Sequence, residues 1–169
     1  MATLIGVNTS AVTFATATNT TPVLGGGKGF SVGTRATDYN GKEYVFVQCN
    51  SAVAAYDMVH IPSDTFVAAG LTTALSAASE GLGIAQYALA SGDYGWIQIY
   101  GACKLKTLGS CAKSVKLYST TTAGSLDDAT ASNYEIFGVQ LLSTNPSATA
   151  SAMSAFISYA KVVIRPGVL

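Results

Sequence analysis

Charge is the scarcest commodity in this chain. Of 169 residues only 11% are Asp, Glu, Lys or Arg, and the formal net charge is zero. Ordinary soluble proteins carry roughly 25%. So little repulsion favours association, and the composition points to a working life inside a larger assembly. The same shortage argues against nucleic acid as a partner, because phosphate binding needs a basic patch that displaces counterions. Lys104, Lys106, Lys113 and Lys116 are the nearest thing to a cluster. Lysines alternating along strands mark solvated faces and guarded edges, and the interleaved aromatics of single-strand binders are missing.

Histidine is nearly absent, and with it most catalytic chemistry. Serine and threonine are abundant, but a hydroxyl nucleophile needs a base beside it. His60 is the single histidine, and no Gly-x-Ser-x-Gly elbow occurs. Three cysteines, Cys49, Cys103 and Cys111, leave at least one unpaired and match no zinc spacing. Free buried thiols in a reducing cytoplasm are expected, with no metal and no cofactor. A run of about 18 mainly apolar residues, the minimum for a membrane helix, is lacking. The N-terminus lacks the basic start of a signal peptide. Asn8-Thr9-Ser10 and Asn19-Thr20-Thr21 fit the glycosylation pattern, which carries no weight without a secretory route.

Two stretches imitate functional motifs. Gly25-Gly26-Gly27-Lys28-Gly29 looks like a phosphate loop, but the lysine is followed by Gly29 and Phe30 rather than by a metal-binding hydroxyl and a helix. A hinge is the better reading. Asp127-Asp128 is the only adjacent pair of carboxylates. Its surroundings, Thr122-Ala123-Gly124-Ser125-Leu126, lack the alternating ligands of a calcium loop and contain the ingredients of a turn.

The first 27 residues carry no charged side chain. They are rich in Thr, Ala and Val, which favour extended backbone. Consecutive glycines after Pro22-Val23-Leu24 free the chain to change direction. We read residues 1–24 as an extended arm, residues 1–29 as arm plus hinge, and residues 30–169 as the body. A disordered tail usually stays soluble through net charge. An uncharged arm is suited instead to lying on a partner, with Val12, Phe14, Val23 and Leu24 as its apolar contacts.

Within the body, turn signals recur at short intervals. Asp38-Tyr39-Asn40-Gly41-Lys42 carries an Asn-Gly turn. Strands are expected at 43–49, 57–61, 83–89, 96–100, 103–106, 115–118, 136–142 and 155–164. Residues 65–79, rich in Ala, Leu and Thr, suggest a short helix limited by Gly70 and Gly81. No rhythm of strands alternating with long helices appears. The expected fold is all-β, a single β-barrel or β-sandwich domain with an extended N-terminal arm.

The only tryptophan lies in Asp93-Tyr94-Gly95-Trp96-Ile97-Gln98-Ile99-Tyr100-Gly101. Alternation puts Ile97 and Ile99 on one face and Trp96, Gln98 and Tyr100 on the other. The first face builds the interior. The second suits a packed layer or an inter-subunit contact, where Trp and Tyr are enriched. Trp96 and Tyr100 are accordingly candidate partner-binding residues, and Gly101 is expected to mark a bulge or a close backbone approach.

Three stretches together resemble the capsid decoration, or cement, proteins of tailed bacteriophages. They are Val32-Gly33-Thr34-Arg35 running on through Asp38-Tyr39-Asn40-Gly41-Lys42 to Val47, then Leu82-Gly83-Ile84-Ala85 followed by 90–101, and finally 122–128 leading into Ile136-Phe137-Gly138-Val139. The Tyr94-Gly95-Trp96-Ile97-Gln98 block is the most distinctive, and the order and separation match across most of residues 30–165. The resemblance implies a structural virion protein, no enzyme, that binds the outside of an icosahedral shell, with the major capsid protein and copies of itself, commonly as a homotrimer, for partners. A second reading keeps the virion but places the chain at a head-fibre base or tail, touching host glycans through Trp96, Gln98 and Tyr100. A small hydrolase or nucleotide-binding enzyme would depend on His60 or Lys28.

Overall fold

The computed structural model describes residues 30–76, 80–130 and 134–164. The expected arm and hinge, with Val12, Phe14, Val23, Leu24 and Lys28, lie outside the described residues.

In chain order the elements are β1 (Arg35–Thr37), β2 (Glu43–Cys49), β3 (Met58–Ile61), β4 (Val67–Gly70), α1 (Thr73–Ser76), β5 (Gly81–Ala85), β6 (Tyr94–Thr107), β7 (Leu117–Ser119), β8 (Leu126–Asp127), β9 (Tyr134–Leu141) and β10 (Ser151–Ile164). All ten strands belong to one sheet that folds back on itself. The all-β expectation holds, and the sheet closes as a barrel does.

Closure happens twice. β2 pairs with β6, β6 with β5, β5 with β3 and β3 with β4, and β4 returns in parallel to β2. A second circuit runs from β6 to β10, β9, β7 and β8, and Leu126 of β8 returns in parallel to Thr107 of β6. β6 is shared, and its 14 residues are divided between the two. Residues 94–100 pair with β2, and residues 100–107 pair with β10. Closing the two circuits pairs most edges that would recruit other chains, and among the described residues β1, paired with β2 alone, stays at an edge.

Each circuit has its own core. Val45, Val47, Val59, Ile61, Ala85, Ile97 and Ile99 fill the first. Leu105, Leu117, Leu126, Ile136, Leu141 and Ile157 fill the second. β3 and β5 serve both, because Met58, Leu82 and Ile84 face away from the first interior and join the second core. That is why all four residues of β3 are buried. A strand covered on both faces loses the polar alternation of a half-exposed one.

A strand at 67–70 takes up part of the stretch 65–79 expected to hold a short helix. Only Thr73–Ser76 is helical, and residues 77–79 lie outside the described residues. Val67 and Ala68 pair with β2 while Ala69 and Gly70 pair with β3. Closing the first circuit outweighs the weak helix propensity of a few alanines. β1 and β8, of three and two residues, are too short to show a period. The strands expected at 96–100 and 103–106 form one element. Gly101, at φ 104°, carries the chain through, and the β2–β6 register slips between Glu43 and Tyr44. A Cβ at Gly101 would stand 3.2 Å from the Cα of Lys42, so the bulge and the close approach occur together.

Candidate functional site: an outward aromatic strip

Trp96 is not an exposed aromatic. It is 4% exposed and packs with Tyr44, Phe46 and Tyr94 on the outer side of β2 and β6. The cover comes from the chain just before β1. The Phe30 ring meets Trp96 edge-on at 5.1 Å between centroids, and Val32 adds to the same cluster. Alternation assigned Trp96 to the correct side of the strand, but its cover arrives from far upstream. Within this chain, the indole is a seat for the segment that follows residue 29.

Gln98 also leaves the expected outward row. It is fully buried, and its Nε2 donates to the carbonyls of Tyr100, at 3.0 Å, and Ala102, at 3.1 Å. Those two carbonyls flank Gly101, so the amide clamps the bulge. The glycan-contacting row of Trp96, Gln98 and Tyr100 therefore does not exist as a surface.

Tyr100 alone of the three reaches outward, and it has company that alternation did not reveal. Its ring centroid lies 5.5 Å from that of Phe156, edge-on, and 5.5 Å from that of Tyr159. Phe156 and Tyr159 on β10 are 37% and 45% exposed, and Phe137 on β9 is 52% exposed. Register places Phe137 across from Lys161, and Val163 extends the row on β10. A ridge of exposed aromatic and aliphatic side chains thus crosses β6, β10 and β9. Exposed apolar side chains grouped in this way mark an interaction site. Tyr159 donates its hydroxyl to the Glu43 carboxylate, which raises the phenol above its ordinary pKa, and burial adds a smaller push.

A shift of phase in two neighbouring strands creates this row. On β10, Ala155 and Ile157 face the core, and then so do Ala160 and Val162. Ala160 follows Ile157 by three positions rather than two, because Tyr159 adopts φ 46°. On β9, Gly138 at φ 78° does the same between Val139 and Ile136. The pairing breaks between Ile157 and Lys161. Without the shift, strict alternation from Ile157 would turn Tyr159 into the core. The one signal that could have exposed this in the sequence is a glycine inside a strand, which marks a bulge.

Elsewhere several titratable groups have local partners. Cys111 lies within 4.8 Å of carboxylate oxygens of Asp127 and Asp128. Burial, and then those two carboxylates, push its thiol up to about 11. Asp128 accepts a hydrogen bond from the Ala112 amide at 2.9 Å, and Asp127 from the Asp128 amide at 2.9 Å. All three cysteines are free. His60 is buried, with Nε2 3.1 Å from Glu80 Oε2 but out of line for a hydrogen bond. Lys106 pairs with Asp57 at 3.1 Å, Lys116 with Glu135 at 3.2 Å, and Lys104 lies over the Tyr56 ring. Lys104, Lys106 and Lys116 thus serve separate local contacts. No protein-family model and no curated protein matches the chain.

Proposed function

We propose that this chain is a structural virion protein that binds the outer surface of a phage capsid and reinforces it, acting as a decoration protein. The observation that carries the reading is the ridge of Tyr100, Phe156, Tyr159 and Phe137. The resemblance of its three sequence stretches to cement proteins supports the choice of partner, the major capsid protein.

Size indicates how the contact is assembled. A specific interface buries about 1,200–2,000 Å² and uses some 20–30 residues a side. The ridge supplies aromatic anchors, the residue types that dominate binding energy, but only a fraction of that number. The uncharged residues 1–24 supply the remainder, laid along capsid-subunit seams in the manner of strand addition. Association of copies, as a homotrimer, multiplies the hold by avidity with no new type of contact.

Co-sedimentation with undecorated capsids of the phage that encodes the chain tests this. The full chain pellets with capsids, and a variant lacking residues 1–24 stays in the supernatant while remaining folded. Full binding by that truncation and by Phe156→Ser would overturn the reading.

A further inference from the structure

β10 leaves β6 after Ser158 and reaches β5 at Lys161, opposite Gly81. Where it departs, the mouth of the first circuit stays open as a cleft of about 480 Å³. Its floor is apolar, made by Val45, Ile61, Phe66 and Ile99. Its rim carries Arg35, Glu80, Tyr159 and Lys161. The volume falls in the range of about 300–1,000 Å³ typical of small-molecule sites, which favour the mouths of β-barrels.

The charges on that rim are unevenly committed. Glu80 faces the imidazole of His60, and Glu43 beside the rim accepts the Tyr159 hydroxyl. Arg35 and Lys161 form no ion pair among the described residues. Two spare cations thus stand over an apolar floor, and the matching ligand carries one anionic head on an aliphatic body.

We infer that the cleft binds a short-chain aliphatic carboxylate, with its alkyl chain on the floor and its head between Arg35 and Lys161. The guanidinium offers paired donors in a plane that suits a carboxylate, and the lysine adds a point charge. The alkyl chain gains affinity by leaving water, at about fourfold per methylene.

Calorimetric titration of the full chain with octanoate, hexanoate and octanol tests this, with no capsid present, so it stands or falls apart from the decoration reading. Octanoate is expected to bind with one site per chain, and hexanoate about fifteenfold more weakly over two methylenes. Joint Arg35→Gln and Lys161→Gln substitution is expected to weaken octanoate at least tenfold and leave octanol unchanged. Ser63→Trp, at an exposed rim position, fills the opening without touching the core and is expected to abolish both. The proposal is overturned by any of three results. These are no octanoate heat up to about 5 mM, which is weaker than any specific site of use; equal binding of octanoate and octanol; or octanoate binding that survives Ser63→Trp.

Discussion

Tyr159 can hold its left-handed backbone because Gly138, on the neighbouring strand, leaves it room. A Cβ at Gly138 would stand 2.5 Å from the carbonyl oxygen of Ser158 and 3.0 Å from the Cα of Ala160. The space a side chain would need is filled by the backbone on either side of Tyr159. The missing side chain on β9 thus permits the bulge on β10, and the bulge turns an aromatic ring outward onto the ridge.

Gly138→Ala is therefore expected to cost about 2–4 kcal/mol, the sum of left-handed strain and backbone overlap. Gly41→Ala provides the control. Gly41 sits at φ 74° in the β1–β2 turn with nothing near its missing Cβ, so only the strain of about 1 kcal/mol applies. Urea midpoints at unchanged slope measure both. Equal losses would show that the close packing at Gly138 carries no energy.

Tyr159→Gly separates folding from binding. It removes a ring from the ridge and also relieves a left-handed non-glycine residue, worth roughly 1 kcal/mol. Stability should stay within about 1 kcal/mol of the parent chain, while capsid retention falls at least tenfold. Trp96→Ala should behave in the opposite sense, losing about 3–5 kcal/mol of stability as a buried aromatic does. Retained binding by Tyr159→Gly would remove the ridge from the interface.

The fluorescence of Trp96 reports its cover. Deleting residues 1–24 should leave the emission of the single tryptophan unchanged, because Phe30 and Val32 still pack on it. Phe30→Ala should shift emission to the red and raise quenching by iodide. A red shift already present in the deletion variant would mean that residues upstream of 25 also seal the indole.

The thiols make a prediction about alkali. Burial pushes Cys49 and Cys111 up to about 11 and Cys103 up to about 12. Thiolate, the reactive form, is therefore scarce at pH 8, and alkylation of the native chain should be slow at all three sites and fast after unfolding. The raised values also set a direction for stability. Below about pH 8.5, the ordinary thiol value, folded and unfolded chains both keep these protons, and the contribution is fully present. Above it the unfolded chain releases protons that the native state retains, so stability falls as pH rises through 9 to 12. Replacing the three cysteines with alanine should flatten that alkaline slope in melting experiments, whatever it does to stability at pH 7.

Much of the fold was legible because strand signals are local. Glu43–Cys49 reads as a strand from its aromatic and β-branched residues, and Asn40-Gly41 marks the turn before it. Ile97 and Ile99 alternate with Trp96 and Gln98 on any extended backbone, whatever the neighbours. Low charge and a single histidine narrow the chemistry without any structure. By itself, then, the sequence determined the all-β class, the turns and the two sides of β6.

Tertiary structure alone decided what covers each side. Trp96 and Tyr100 share one side of one strand, yet Phe30 and Val32 bury the first, and among the described residues nothing comparable covers the second. Phe156 and Tyr159 share the outer face only because Gly138, some twenty residues away, lets β10 bulge. Residues 67–70 became a strand because β2 and β3 each needed a partner to close the first circuit. Side-chain alternation is a property of a few consecutive residues, whereas burial depends on which distant segment the closed sheet brings alongside.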